Sequence, residues 1–329
     1  MSLLSGVRLL VAGAGSFGRE HLRILSTMSD VILVGVADIV ESAAADACRR
    51  FGALEAGSDA REMLGRLRPD GLVIATPGPT HAALARHALD LGIPVLVEKP
   101  VAMSAAEAGI LLDAAAPSDA FVLPGHILRF SAPHRRLVEI ARSAAIGPIV
   151  SVTARRYRDD GHARRYAEDP VLMTMVHDID LALWITGSTP DEVLAHRRPT
   201  GTPRSETLMM GASPGGAVWR LTTAWTFPSL APPPDRIEVV GERGSVELEA
   251  GIAIRVYGEA PLVLDVSTAD PDQPHRAELA HFIDCVRQGA QPEAVALADA
   301  IAGLRVADAV LASVASGALV RTSSRAAAG

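Results

Sequence analysis

Short, unbroken apolar runs alternate with stretches of helical period throughout the first 125 residues, and few folds accommodate that alternation. "VRLLVAG", "VILVGVAD", "GLVIAT", "PVLVEK" and "AFVLPG" read as strands. Between them, "REHLRILSTM" and "ESAAADACRRFG", the second closed by Gly52, read as helices, as do segments near 59–68, 80–91 and 104–115. Strands that are apolar along their whole length are buried on both faces. Alternating with helices, they predict a parallel sheet covered on both sides, a doubly wound α/β domain.

After residue 125 the pattern changes. A helix is expected over about 131–144, and the apolar residues of "PIVSVTARRYR" partly alternate. A second helix runs from Pro170 to Thr186, with Asp169 as its N-cap and Pro170 at its first position. From 191 to 265 come alternating runs such as "AVWRLTTAWTF", "DRIEVVGERGSVELEA" and "IAIRVYG", punctuated by Gly241 and Gly244. Strand after strand without helices between them predicts an α+β domain with a large, mostly antiparallel sheet. Two helices, about 275–288 and 296–316, close the chain, after a Pro-rich loop at 228–235 and before the tail "SSRAAAG". The expected division is residues 1–125 and 126–329, with the C-terminal helices free to pack back on the first domain.

Composition removes several function classes. With 329 residues, 49% hydrophobic, 21% charged and a net charge of -7, the chain presents no basic field for nucleic acid. No stretch reaches the roughly 20 apolar residues that span a bilayer, and the run Leu9 to Ala12 is too short for a signal peptide. Cys48 and Cys285 read as small hydrophobes in a reducing compartment, which places the chain in the cytoplasm. The arginines at 155, 156, 158, 164 and 165 read as a solvated strand end and loop. No metal site is expected. His81/His87 and His275/His281 are each six residues apart and fall on different helix faces, and His177 with Asp180 supplies only two groups.

"VAGAGSFGRE" carries Gly13, Gly15 and Gly18 in G-x-G-x-x-G spacing between a strand and a helix, and Asp38 ends the next strand. Gly13 makes the turn, Gly15 lets a pyrophosphate approach the backbone, and Gly18 lets helix and strand pack. Ser16 and Phe17 lie within this loop and are expected at the cofactor. A carboxylate at Asp38 accepts the adenosine ribose hydroxyls and repels a 2′-phosphate, and Ile39 and Val40 bring no cation. NAD is expected over NADP.

"ATPGPTHAALARHALDLGIPVLVEKP", "GHILRFSAP", "MVHDIDLALWITG", "AWTFP", "EVVGERGSVEL" and "HFIDCVRQG" resemble the Gfo/Idh/MocA family of sugar and polyol oxidoreductases over nearly the whole chain. The resemblance implies a Rossmann domain and NAD-linked dehydrogenation of a CH–OH group. It implies Thr76, Pro77, His81, Glu98 and Lys99 at the cofactor. Lys99 and His177 become the catalytic pair, and Arg129 a pocket residue. Thr174 is expected to bond a substrate hydroxyl or the cofactor. His126, Arg156, Tyr157 and Trp225 are weaker lining candidates, with packing the even alternative for Tyr157 and Trp225. Homodimers or homotetramers through the second-domain sheet are implied as well, with no nucleic acid or membrane partner.

The chain departs from the family at one position. Many members carry a carboxylate four residues before the histidine, and this sequence has Met173. A thioether relays no proton. Besides the dehydrogenase, a redox-neutral NAD enzyme of glycosidase or epimerase type and a non-catalytic sugar or nucleotide sensor therefore remain open.

Overall fold

The computed structural model describes residues 6–116, 119–165, 167–201, 204–227 and 232–322. Part of the Pro-rich loop, 228–231, and the terminal tail lie outside them. The chain forms two compact units, one of Met1–Phe130 with Asp272–Ala300, the other of Ser131–Pro271 with Ile301–Gly329.

In the first unit six strands, β1 (Val7–Ala12), β2 (Val31–Ala37), β3 (Ala56–Gly57), β4 (Gly71–Ile74), β5 (Val95–Glu98) and β6 (Val122–Gly125), form one sheet in the order β3-β2-β1-β4-β5-β6. Every pairing is parallel. The order reverses between β1 and β4, so their carboxyl ends flank the switch point where ligands bind in such sheets. Helices α1 (Ser16–Leu25), α2 (Glu41–Phe51), α3 (Ala60–Leu67), α4 (His81–Asp90) and α5 (Ala105–Ala115) follow β1 to β5 in turn.

The first unit extends past the expected boundary at 125 and takes back a C-terminal segment. Phe130, and Leu279, Phe282 and Ile283 of the helix Gln273–Gln288, are buried in the same core as Leu9, Val11, Leu22, Leu96 and Leu123. Phe121 and Phe282 meet edge to face at 5.9 Å. Without that helix, this side of the sheet would expose its apolar surface.

The second unit is built on nine strands: β7 (Ile149–Asp159), β8 (Glu192–Gly201), β9 (Arg204–Ala212), β10 (Val218–Phe227), β11 (Arg236–Gly241), β12 (Gly244–Glu249), β13 (Ala253–Gly258), β14 (Leu262–Asp265) and β15 (Val320–Arg321). Their order is β14-β13-β12-β11-β7-β10-β9-β8-β15, antiparallel except for the pair β7 and β10. A row of partners across five strands, Val256, Val246, Val239, Val152 and Trp219, is buried. Leu208, Met210, Val150, Tyr257 and Val263 are exposed. This unit also carries α6 (Ala132–Arg142), α7 (Asp160–Arg165) and α8 (Val176–Thr186). The helix already named is α9, and α10 (Leu297–Ser316) runs across the boundary in sequence.

The helix expected from Pro170 to Thr186 is not uniform: Val171–Met175 is a turn of π-helix, and α8 begins only at Val176. The Val176 amide donates to the Val171 carbonyl five residues back. Asp169 supports the entry, its Oδ1 accepting from the Val171 amide at 2.8 Å. Among the described residues no helix is long and apolar enough to cross a membrane.

Candidate active site

The glycine loop is constrained by its own backbone. Gly13 has φ +99°, and a Cβ there would stand 2.3 Å from the Ala75 carbonyl oxygen, while one on Gly18 would stand 1.9 Å from that of Gly13. Only glycine fits either place. At Gly15, by contrast, nothing beyond the adjoining backbone lies within 4 Å of where a Cβ would be. Gly15, Ser16 and Phe17 are exposed, and Gly15 caps α1 without a side-chain hydrogen bond. An open loop leading into an uncapped helix N-terminus fits a dinucleotide pyrophosphate. Asp38 is fixed beside it, Oδ2 accepting from the Ala14 amide at 2.7 Å and Oδ1 from the Val40 amide at 2.9 Å. Ile39 is 90% exposed.

The loops after β4 and β5 are tied together. The buried His81 ring lies between the Pro100 carbonyl, 2.8 Å from Nδ1, and the Thr76 carbonyl, 2.7 Å from Nε2. Thr80 donates its hydroxyl to the Pro77 carbonyl at 2.7 Å and lies 2.7 Å from the Thr76 hydroxyl. These bonds make His81 a tie between loops. The Lys99–Pro100 peptide is cis.

Lys99 is partly exposed between buried Glu98 and buried Pro100. Its Nζ stands 5.6 Å from the Phe17 ring centroid, so the β5 end and the glycine loop meet at this lysine. Glu98 turns inward. Its Oε1 lies 2.8 Å from His21 Nε2, and its Oε2 accepts from the Lys99 amide at 3.2 Å. Burial works to raise the Glu98 carboxyl, but the His21 hydrogen bond and the charges of His21, Lys99 and His275 hold it down at about 2. Through these two oxygens Glu98 ties the Lys99 backbone to α1. Arg129 is also buried and pairs with Asp299 at 2.9 Å. His126 is buried, its amide donating to the Pro124 carbonyl at 2.8 Å.

In the second unit, every residue from Pro170 to Leu183 is buried except His177, which is partly open. Met173 is packed with Ala163 and Trp225. Trp225 donates its Nε1–H to Thr174 Oγ1 at 2.8 Å, and the His162 ring meets its edge at 5.2 Å. Trp225, 1% exposed, therefore reads as packing that fastens the π turn. Tyr157 stacks on Phe227 at 5.4 Å.

Within the arginine cluster Arg164 and Arg165 are exposed, as expected, but Arg156 is buried, which corrects for this residue the expectation of a solvated position and of a substrate-lining one. It is 5% exposed, its NH2 2.8 Å from Asp178 Oδ1 and its NH1 bonded to Asp235. Arg158 reaches the same Asp235 at 2.8 Å. Burial pushes the Asp178 carboxyl up while Arg156 pulls it back. Burial also acts to raise Asp235, but Arg156 and Arg158 outweigh it and hold that carboxyl low. The guanidinium that the sequence offers to substrate is saturated by protein carboxylates.

Two participants escaped the sequence reading. His21 lies three residues after Gly18 on the buried face of α1, and a histidine on an apolar helix face was the available signal. Asp235 follows a Pro-rich loop and gave no signal.

Comparison with known proteins places these features. Residues 7–126 match the oxidoreductase family GFO_IDH_MocA, NAD-binding Rossmann fold, and residues 134–247 match the GFO/IDH/MocA C-terminal domain. The chain belongs to the Gfo/Idh/MocA oxidoreductase family. It is similar to the inositol 2-dehydrogenase of Rubrobacter xylanophilus, 29% identical over 318 residues, 94% of this chain and 91% of the relative. Among solved structures, myo-inositol 2-dehydrogenase from Lactobacillus plantarum matches with a TM-score of 0.84 at 21% identity, over 96% of this chain and 99% of that one. Levoglucosan dehydrogenase in complex with NADH and levoglucosan matches with a TM-score of 0.84 at 18% identity, over 96% and 99%. Such structural likeness establishes the fold, and the glycine loop and Asp38 belong to an NAD-binding domain.

Arg156→Ala is expected to lower stability by about 3–5 kcal/mol, because it leaves Asp178 buried without its partner. Denaturant titration measures this. An unchanged KM in the folded variant accords with a structural Arg156, whereas a raised KM at unchanged stability would restore it to the substrate.

Proposed function

We propose that this Gfo/Idh/MocA oxidoreductase is an NAD-dependent dehydrogenase acting on a secondary alcohol of a sugar, polyol or cyclitol. The observation that carries the reading is Lys99: a cation partly open between buried neighbours, at the carboxyl end of β5 and against the glycine loop. The inositol 2-dehydrogenase relatives support the substrate class.

Gly13, Gly15, Ser16, Phe17, Gly18, Asp38, Thr76, Pro77 and Lys99 would hold NAD, whose nicotinamide supplies the hydride acceptor when bound. His177, the one open residue of an otherwise buried run, accepts the hydroxyl proton. Lys99 stabilises the alkoxide charge that develops as the hydride leaves. Arg129, His126, Thr174 and Tyr157 remain candidates for holding the rest of the substrate. Met173 supplies no acid beside His177, and it is the observation that favours a redox-neutral enzyme or a sensor.

The exposed apolar residues Leu208, Met210, Tyr257 and Val263 support self-association through the second-unit sheet. Light scattering that shows only monomer would remove that part of the proposal. Free Cys48 and Cys285 accord with a cytoplasmic setting.

NADH formation over a panel of polyols, sugars and sugar nucleotides tests the function. Lys99→Ala and His177→Ala should each lower kcat on the order of 10²–10⁴-fold while NAD still binds. Product without NADH would favour the redox-neutral enzyme, and NAD binding without any turnover the sensor.

A further inference from the structure

Beneath Glu98 lies a cluster of ionisable groups that the proposed reaction does not use. Glu278 on α9 is 0% exposed, and both its carboxyl oxygens are buried with no hydrogen-bond partner among the described residues. His275, one turn earlier on the same face of α9, meets the His21 ring edge-on at 6.1 Å. His21 in turn holds Glu98 at 2.8 Å, and Glu98 holds the Lys99 amide. Two carboxyl groups thus share one buried region with a pair of imidazoles, on three elements of a single unit.

A buried glutamate with both oxygens unbonded is a poor structural choice, since an apolar residue of similar size would cost less. A second buried carboxylate near the charge of Glu98 is disfavoured both by desolvation and by like charge. Burial first, then the charge of Glu98, push the Glu278 carboxyl well above its ordinary value, while Glu98 is held low. Both influences favour the protonated form of Glu278. The other charged or titratable groups on the elements packed there are Glu20, His21 and Arg23 on α1, Lys99 just after β5, and Asp272, His275 and His281 on α9 or at its start. Arg129, in the 3-10 turn packed on α9, is tied to Asp299.

We propose that Glu278 makes the Lys99 strand end sensitive to pH: losing its proton sets a second negative charge against Glu98 and loosens the anchor that holds Lys99. Glu278 is a positioning residue, acting through Glu98, and its link to catalysis rests on the proposed role of Lys99. The sign follows from the raised carboxyl. Its contribution to stability is fully present below the ordinary glutamate value of 4.5 and is lost as pH climbs to the raised value in the folded protein.

The test compares wild type with Glu278→Gln and, in case the amide folds poorly, Glu278→Met. Denaturant stability of each full-length chain is measured from about pH 5 to about pH 9, above the ordinary range of a glutamate. Wild type should weaken relative to either variant, its unfolding constant gaining up to roughly tenfold per pH unit within the titration window. This arm needs no substrate, so it stands whether or not the dehydrogenase reading does. In the second arm, the alkaline fall of kcat/KM with NAD and the best polyol should move to higher pH in both variants. Parallel stability curves for the three proteins would overturn the proposal. Diverging stability curves with one common alkaline limb would overturn its link to Lys99.

Discussion

The hydrogen bonds of the Glu98 carboxylate organise the carboxyl edge of the first unit's sheet at Lys99. One oxygen meets His21 from the first helix, and the other holds the amide of Lys99. A carboxylate this deeply buried survives ionised only because its partners repay its desolvation. The sheet delivers Lys99 to its carboxyl edge, and Glu98 sets where the backbone stops. His81 performs a similar service one loop away, bridging the carbonyls of Thr76 and Pro100. Lys99 therefore rests on two rigid ties rather than on a mobile loop, as positioning within tenths of an ångström demands.

The second unit solves a comparable problem with other means. Its helix from 170 to 186 is apolar almost all round and is buried, so each polar group on it needs a partner. Asp178 has Arg156, Thr174 has Trp225, and from Pro170 to Leu183 only His177 reaches partly into the open. The π turn at Val171–Met175 lies immediately before that histidine, and such turns often accompany functional sites. Met173 belongs to the apolar cluster of this turn, with Ala163 and Trp225.

Much of the fold was legible because its signals are local. Continuous apolar strands, the glycine loop and the alternating strands after 191 each declare themselves within a dozen residues. The return of α9 to the first unit was open in the sequence, because helix amphipathicity shows that a face is buried but not against what. The extra residue of the π turn left no compositional trace. The site was legible in its residue types and much less in their partners. Lys99 and His177 are partly open, as side chains able to meet a ligand must be, whereas Arg156 is consumed by Asp178 and Asp235, which lie 22 and 79 residues away in the chain. Pairings over such separations are tertiary, and a single sequence does not encode them in any periodicity.

The measurement that bears most directly on the account is the behaviour of Glu98→Gln, which keeps size and one acceptor but removes the charge. If the carboxylate positions Lys99, kcat for polyol oxidation falls by on the order of 10²-fold, while NAD affinity, set by the glycine loop and Asp38, changes little. A variant that folds, binds NAD and turns over at the wild-type rate would contradict the account.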